Sequence, residues 1–391
     1  MRGRGRARAG GAGSWSSRTP TAPRSRPPRC GNRLHPRPSP SLALAVSSWR
    51  AGLLALGLIL LQGCTGGAGY LLRAGWSEAR ILWRRRPIAE LLARPELDPA
   101  LRERLQLALA VRAYAEQPLG LRVGESYTTF ADVEGEDLVY VVSAAWRDRL
   151  EAYTWRYPLV GRLPYRGFFA RADADAAAQA LVAQDLDVDV HPAVAFSTLG
   201  WFADPLLSSA ATGPAVAVAE TIFHELFHAT LYLAGNAVFN ESAATFVGHR
   251  GAIAFFCSGP GRDAGRCDDA RRRWRAARIR GRILGRLAAR LRQLYATHPP
   301  IAPREKRRTG LLRAARTALL RRGLGDGELL PPNNARLLGD LLYLTELDTF
   351  DRLAAGDSDL GPAIATLVRS VRGSAEPFAT LAALASRDER R

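Results

Sequence analysis

The chain has 391 residues, 47% apolar and 24% charged, a balance that excludes a collagen-like or wholly disordered protein. The net charge of +18 raises nucleic acid as a partner, but eleven Arg and no acid fall within residues 1–50, leaving +7 for the rest. Lys occurs once, at Lys306, and Ala, Gly, Pro and Arg are all abundant, so the bias reads as codon usage and no nucleic-acid partner is expected.

Residues 1–49 are rich in Arg, Pro, Ser and Gly and lack apolar periodicity. Such a segment cannot bury enough surface to fold. It reads as a disordered extension or an over-extended gene start. Residues 50–64 differ. Arg50 precedes the apolar run Ala51 to Leu61, followed by Gln62-Gly63-Cys64. A basic start, a short apolar core and small residues at the end are the layout of a secretory signal. The run is too short to span a bilayer, which needs about 20 residues. Leu61-x-Gly63-Cys64 resembles the lipobox of bacterial lipoproteins, with Gln62 where a small residue is usual. The resemblance implies lipidation at Cys64. It also implies an exported protein, lipid-anchored in the bacterial cell envelope, on the periplasmic side of a membrane.

Residues 65–391 read as one domain of class α+β. An α+β part covers about 65–215, metal-site helices about 216–256, and a helical C-terminal part about 268–391. Apolar spacing predicts a helix around Pro87–Ala93 and a longer one from Pro99 to about Tyr114. Leu138–Val142 is β-rich, Gly161–Phe169 carries Pro, Gly and aromatics, and Asp173–Gln184 is Ala-rich and helical in pattern. Asp187–Val190 alternates and continues toward Ala193, Val194, Ala195, Phe196 and Ser197. These segments predict a small sheet of three or four strands. If 193–197 is an edge strand beside the site, a peptide could add to it. The plain alternative is an ordinary strand leading into the turn at Gly200.

Chemistry concentrates at 220–250. His224 and His228 lie four apart on an apolar helix, so both imidazoles face one way and can share a metal. Glu225 sits where its carboxylate reaches a water at that metal. Buried without partners, three such residues would be costly. Zinc catalysis needs a third ligand and an open position. Twelve residues separate His228 from Glu241, enough to end the helix near Gly235-Asn236, turn, and return antiparallel. Asn240 or a neighbour caps the second helix, with Glu241 in its first turn. His249 competes as third ligand, but faces away if Glu241 faces in. One Zn2+ per chain is expected, on His224, His228 and Glu241, with Glu225 as general base. Tyr343 and Tyr165 are candidate donors to an oxyanion. Glu220, one turn before His224, is weighed as a holder of a substrate's α-ammonium; a solvated Glu at the helix start is the stronger reading.

HELFH followed by Asn240-Glu241-Ser-Ala-Ala-Thr resembles the gluzincin arrangement, and in particular a predicted aminopeptidase family of bacterial lipoproteins. Arg112–Ala115, Ser126-Tyr127, Tyr157–Gly161, Pro164–Phe168, Phe196–Pro205 and Asn333–Ala335 carry the resemblance further. It implies a zincin-like fold, with the small sheet packed on the HExxH helix. It also implies a membrane-anchored zinc metallopeptidase acting on peptides, an aminopeptidase by family. The alternative is a zinc-dependent peptide-binding or chaperone-like lipoprotein with little turnover. Oligomeric state is not readable.

Cys257 and Cys267 flank a Gly-Pro-Gly loop; in an oxidising compartment they are a candidate disulfide. Arg271–Arg292 reads as the solvated face of a core helix, with anionic lipid head groups as the functional alternative.

Overall fold

A computed structural model describes residues 83–133, 140–157, 161–168, 170–192, 203–324, 333–354 and 360–388. The expected signal segment, Cys64 and the strand 193–197 lie outside the described residues. The class is mixed α+β, with a majority of helix and three small sheets.

The first elements are β1 (Arg86–Pro87), α1 (Ile88–Leu92) and α2 (Pro99–Glu116). Asp98 caps α2 by accepting from the Leu101 N–H at 2.8 Å, and Pro99 presets the first turn. Then come β2 (Thr129–Ala131), β3 (Tyr140–Trp146), β4 (Trp155–Tyr157), β5 (Gly161–Leu163) and β6 (Tyr165–Phe168). Helix α3 (Arg171–Val182) leads into β7 (Leu186–Pro192), then β8 (Leu206–Leu207) and the short α4 (Ser208–Ala211). The rest is helical: α5 (Ala215–Thr230), α6 (Ala237–Cys257), α7 (Ala264–Ala296), α8 (Ile301–Leu320), α9 (Asn334–Leu344), α10 (Leu347–Asp351), α11 (Leu360–Val371) and α12 (Pro377–Asp388).

The strand segments expected at 138–190 form one antiparallel sheet in the order β6–β3–β7. Tyr140 faces Phe168 on one side and Pro192 on the other. A second sheet pairs β1 with β2 antiparallel and β2 with β8 parallel, and β4–β5 is a hairpin.

One expectation is corrected here. The β6–β3–β7 sheet does not rest on the HExxH helix: β3 and β7 pack against α3 and α9 and build a separate core with Ala174 and Leu181. Helix α5 lies chiefly against α6 and α2. The strands in its core cluster are the short β2 and β8, through Phe130 and Leu206. The reason is the apolar girth of α5. Val218, Ala219, Ile222, Phe223, Leu226 and Phe227 form a wide apolar arc that helices cover, and Glu220, His224, Glu225 and His228 fill the opposite arc.

Helix α6 is the centre of the molecule. It is buried from Phe239 to Phe256 with few gaps and touches α5, α7, α9, α10 and α11. Phe223, Phe227, Phe246, Phe255 and Phe256 are fully buried there, each contributing about 2–3 kcal/mol of transfer free energy. A disulfide joins Cys257, at the end of α6, to Cys267 in the first turn of α7. Helices α7, α8 and α9 share a further core around Leu284, Leu291, Leu312, Leu319 and Leu337.

Candidate metal centre

Helix α5 ends at Thr230, with Leu231 extended, and the chain turns through Gly235 in the left-handed region before α6 starts at Ala237. The turn is tied by Asn240. Its side-chain oxygen accepts from the Leu233 N–H at 3.0 Å and its amide donates to the Leu233 carbonyl at 2.9 Å. Asn240 therefore sits inside α6 and braces the turn; the cap position is Asn236, which makes no side-chain cap bond. Glu241 follows one residue later, a turn beyond the helix start.

That turn brings three donors together. The Nε2 atoms of His224 and His228 are 3.1 Å apart. Glu241 Oε2 lies 3.2 Å from His224 Nε2 and 3.4 Å from His228 Nε2. Among the described residues these three form the group of side chains that could hold a metal ion, their donor atoms all within 4.8 Å of one another. A tetrahedral ion with bonds of about 2.0–2.2 Å has donor–donor edges of about 3.3–3.6 Å, within a few tenths of an ångström of all three separations. The donor chemistry agrees: two imidazole nitrogens and a carboxylate oxygen aim at one point from opposite helices.

Electrostatics follow from that convergence. Burial pushes the Glu241 carboxyl up, but hydrogen bonds with His224 and His228 outweigh it and hold the pKa at about 2. Burial lowers His228, and the Glu241 carboxylate outweighs it, so its pKa is raised. His228 is 5% exposed, and its Nδ1 is buried without a hydrogen-bond partner among the described residues. Among the described residues no acid therefore orients His228 through its Nδ1.

Glu225 is half-buried and makes no hydrogen bond or ion pair among the described residues. Its negative charge adds to the raised pKa of Tyr127, His228 and Tyr343, behind burial and, at His228 and Tyr343, the Glu241 carboxylate, and it stands beside His224 in the sequence of the helix. Tyr343, near the end of α9, packs its ring 6.0 Å from that of His224. The residue is 44% exposed. Burial, then Glu241, Tyr165 and Glu225, raise its pKa. Tyr165, on β6, is 42% exposed and close enough to Tyr343 to act on it. Tyr343 thus borders the site, whereas Tyr165, on the strand β6, is linked to it through its influence on Tyr343.

His249 and Glu220 are elsewhere. His249 Nδ1 is 2.7 Å from Glu220 Oε1, and Arg273 of α7 holds Glu220 Oε2 at 2.7 Å. The His249 ring packs on Trp274. His249 is therefore no ligand, and the Glu220 carboxylate, engaged on both oxygens, does not face the donors as an amine holder. Sequence reasoning missed three supports. The Ser242 hydroxyl donates to the Leu342 carbonyl at 2.8 Å and accepts from the Thr345 N–H at 3.1 Å, tying the helix of Glu241 to the end of α9 beside Tyr343. Gly248 lets α6 touch α5 at the level of His224. Tyr127 is buried with φ +61°, its N–H bonded to the Asp204 carbonyl at 2.8 Å. Only the Ser126-Tyr127 and Glu241-Ser242 dipeptides within the resembling stretches hinted at any of these.

The family described as "Putative aminopeptidase" matches residues 69–369. The chain belongs to this family. No curated protein and no solved structure matches the chain. The aminopeptidase-family match runs from ahead of β1 into α11, so it includes both helices of the metal centre and the helix of Tyr343. Membership points to peptides as substrate and hydrolysis as the reaction.

Proposed function

We propose that this aminopeptidase-family chain is a zincin-like, gluzincin-type zinc peptidase that hydrolyses peptide bonds, exported and anchored through a lipid on Cys64. The observation that carries the reading is the triangle of His224, His228 and Glu241 donor atoms, 3.1–3.4 Å on each side, on the helix that also carries Glu225 and the helix that returns beside it. His224, His228 and Glu241 would hold one zinc ion. Zinc so held polarises a carbonyl oxygen and brings the acidity of a water toward about pH 7.

The chain's own residues supply the rest. Glu225, with no other partner among the described residues, takes the proton of the attacking water and passes it to the leaving amine. Tyr343, whose raised pKa keeps it protonated, donates its hydroxyl to the oxygen that gains charge at the carbonyl carbon. The apolar side chains of Phe223, Leu226 and Phe227 exclude water behind the site. Export is supported by the Cys257–Cys267 disulfide, which belongs to an oxidising compartment. No helix among the described residues is long and apolar enough to cross a membrane.

Metal analysis and peptide turnover, on wild type beside Glu225→Gln, test the reading. One zinc per chain in both, with hydrolysis in wild type and a loss of about 100–10,000-fold in the variant, supports it. Product masses then report whether single N-terminal residues are released. Absence of metal from zinc-loaded wild type would sink the ligand assignment. Bound zinc without turnover of a broad peptide library moves the function to peptide binding.

A further inference from the structure

We infer that the α7–α8 hairpin is a docking face for a membrane surface rich in anionic phospholipid head groups. The inference is independent of the peptidase reading. It starts from how charge is distributed. Residues 264–322 hold nineteen Arg or Lys against three acids, a net +16. The chain after residue 50 totals +7, so everything else in it sums to −9. The positive charge of the folded part is thus gathered on one helical hairpin.

The cations of that hairpin divide into two sets. One set turns inward and is neutralised: Arg273 meets Glu220, Arg280 meets Asp340, Arg278 meets Asp348, and Arg308 meets Asp187. The second set turns outward. Arg275, Arg286 and Arg290 on α7, with Lys306, Arg313 and Arg321 along and just past α8, are exposed, and their side chains make no hydrogen bond or ion pair among the described residues. At 100° per residue, Arg275, Arg286 and Arg290 fall on one stripe, opposite the buried Leu284, Leu287 and Leu291. Lys306 and Arg313 likewise lie opposite Leu312, Ala315 and Leu319. Arg286 and Arg290, four apart, repel each other on the helix surface, and a sheet of negative charge relieves that repulsion.

Helix α7 has 33 residues and is about 50 Å long, so its stripe can lie along a flat surface. Guanidinium groups match phosphate oxygens in pairs. The outward stripe carries Gln293 and the half-buried Ile279 among the arginines, so charge outweighs apolar surface on it. Such a face rests on head groups by charge and does not insert. The choice of lipid over nucleic acid rests on the Cys257–Cys267 disulfide at the head of the same helix. It marks an oxidising compartment, where phosphate-bearing surfaces are membranes.

The test uses the full chain carrying Cys64→Ala, so that no acyl chain contributes. Co-sedimentation is measured with vesicles of phosphatidylcholine, with and without phosphatidylglycerol. It is compared with the same chain also carrying R275E, R286E, R290E and R313E. Residues 1–50 are identical in both, so any difference belongs to the hairpin. Expected are binding only to the anionic vesicles, its loss in high salt, and a drop of about tenfold or more in the reversed chain. Lys at the same four positions retains binding. Should the reversed chain melt early, Gln at these positions replaces Glu. Equal binding by the parent and the reversed or neutralised chain overturns the inference. So does a parent chain that ignores anionic vesicles but retains duplex DNA at the same salt.

Discussion

Gly248 on α6 and Glu220 on α5 approach so closely that a Cβ on Gly248 would stand 2.7 Å from the Glu220 backbone oxygen and 3.4 Å from the His224 Cβ. His224, His228 and Glu241 come together because these two helices can touch at that level. A backbone oxygen cannot swing aside as a side chain would. Gly248→Ala must part the helices and carry Glu241 away from the histidines. The expected cost is about 2 kcal/mol of stability and at least tenfold in zinc affinity. Gly285 is the control: it is exposed in α7 with open space where its Cβ would be. Gly285→Ala should raise stability by about 0.5–1 kcal/mol and leave zinc affinity alone. Thermal melts and chelator competition read both.

Tyr343 and Ser242 form a second pair. Tyr343→Phe keeps the ring on His224 and removes the hydroxyl. Turnover is expected to fall about 100-fold with zinc content unchanged. Ser242→Ala releases the end of α9 from α6 and leaves a buried carbonyl and N–H unbonded, costing about 1–3 kcal/mol. It should lower kcat more than it raises KM, because it moves a group that acts late. Wild-type kinetics in both variants would remove Tyr343 from the mechanism.

Acid stability should report on Glu220. Burial raises its pKa, but His249 and Arg273 outweigh burial and set it below the ordinary 4.5. A carboxyl lowered on folding adds stability that is complete above its unfolded pKa and is lost as pH falls through the folded one. Glu220→Gln is therefore expected to cost about 2 kcal/mol at pH 7 and less below pH 4.5. Urea midpoints at neutral and acid pH test this; a pH-independent difference would contradict it.

The disulfide holds the far end of α6 from Glu241. Replacing both Cys257 and Cys267 by Ser opens a short loop and should cost about 3 kcal/mol. Zinc affinity should change little, since Glu241 is sixteen residues earlier on the helix. Calorimetry and zinc titration of the double variant decide the point.

Much of the secondary structure was legible. The helices at Pro99, Asp173 and Ala215 and the strands at 140 and 187 announce themselves by apolar period and by capping residues. Asp98-Pro99 is such a signal. The turn between α5 and α6 was legible as a turn, but not in detail. Asn240 reads as a cap by type, yet its side chain folds back onto Leu233 from inside the helix. A polar residue next to a helix start satisfies either role, and only packing selects one. The sheet was placed wrongly for a similar reason. Period-2 alternation states that a strand has a buried face but does not name what covers it.

Residue spacing alone brings His224 and His228 onto one face, because i and i+4 on a helix are neighbours in any fold. It also places Glu225 beside them. The return of Glu241 to within 3.4 Å of both imidazoles, the closeness of Tyr343, and the withdrawal of His249 and Glu220 into a pair with Arg273 were decided by tertiary structure. Local sequence sets dihedral preference and periodicity within a few turns. Contacts between helices depend on which small residues permit close approach, and Gly248 does so from a distance in the chain that no local period encodes.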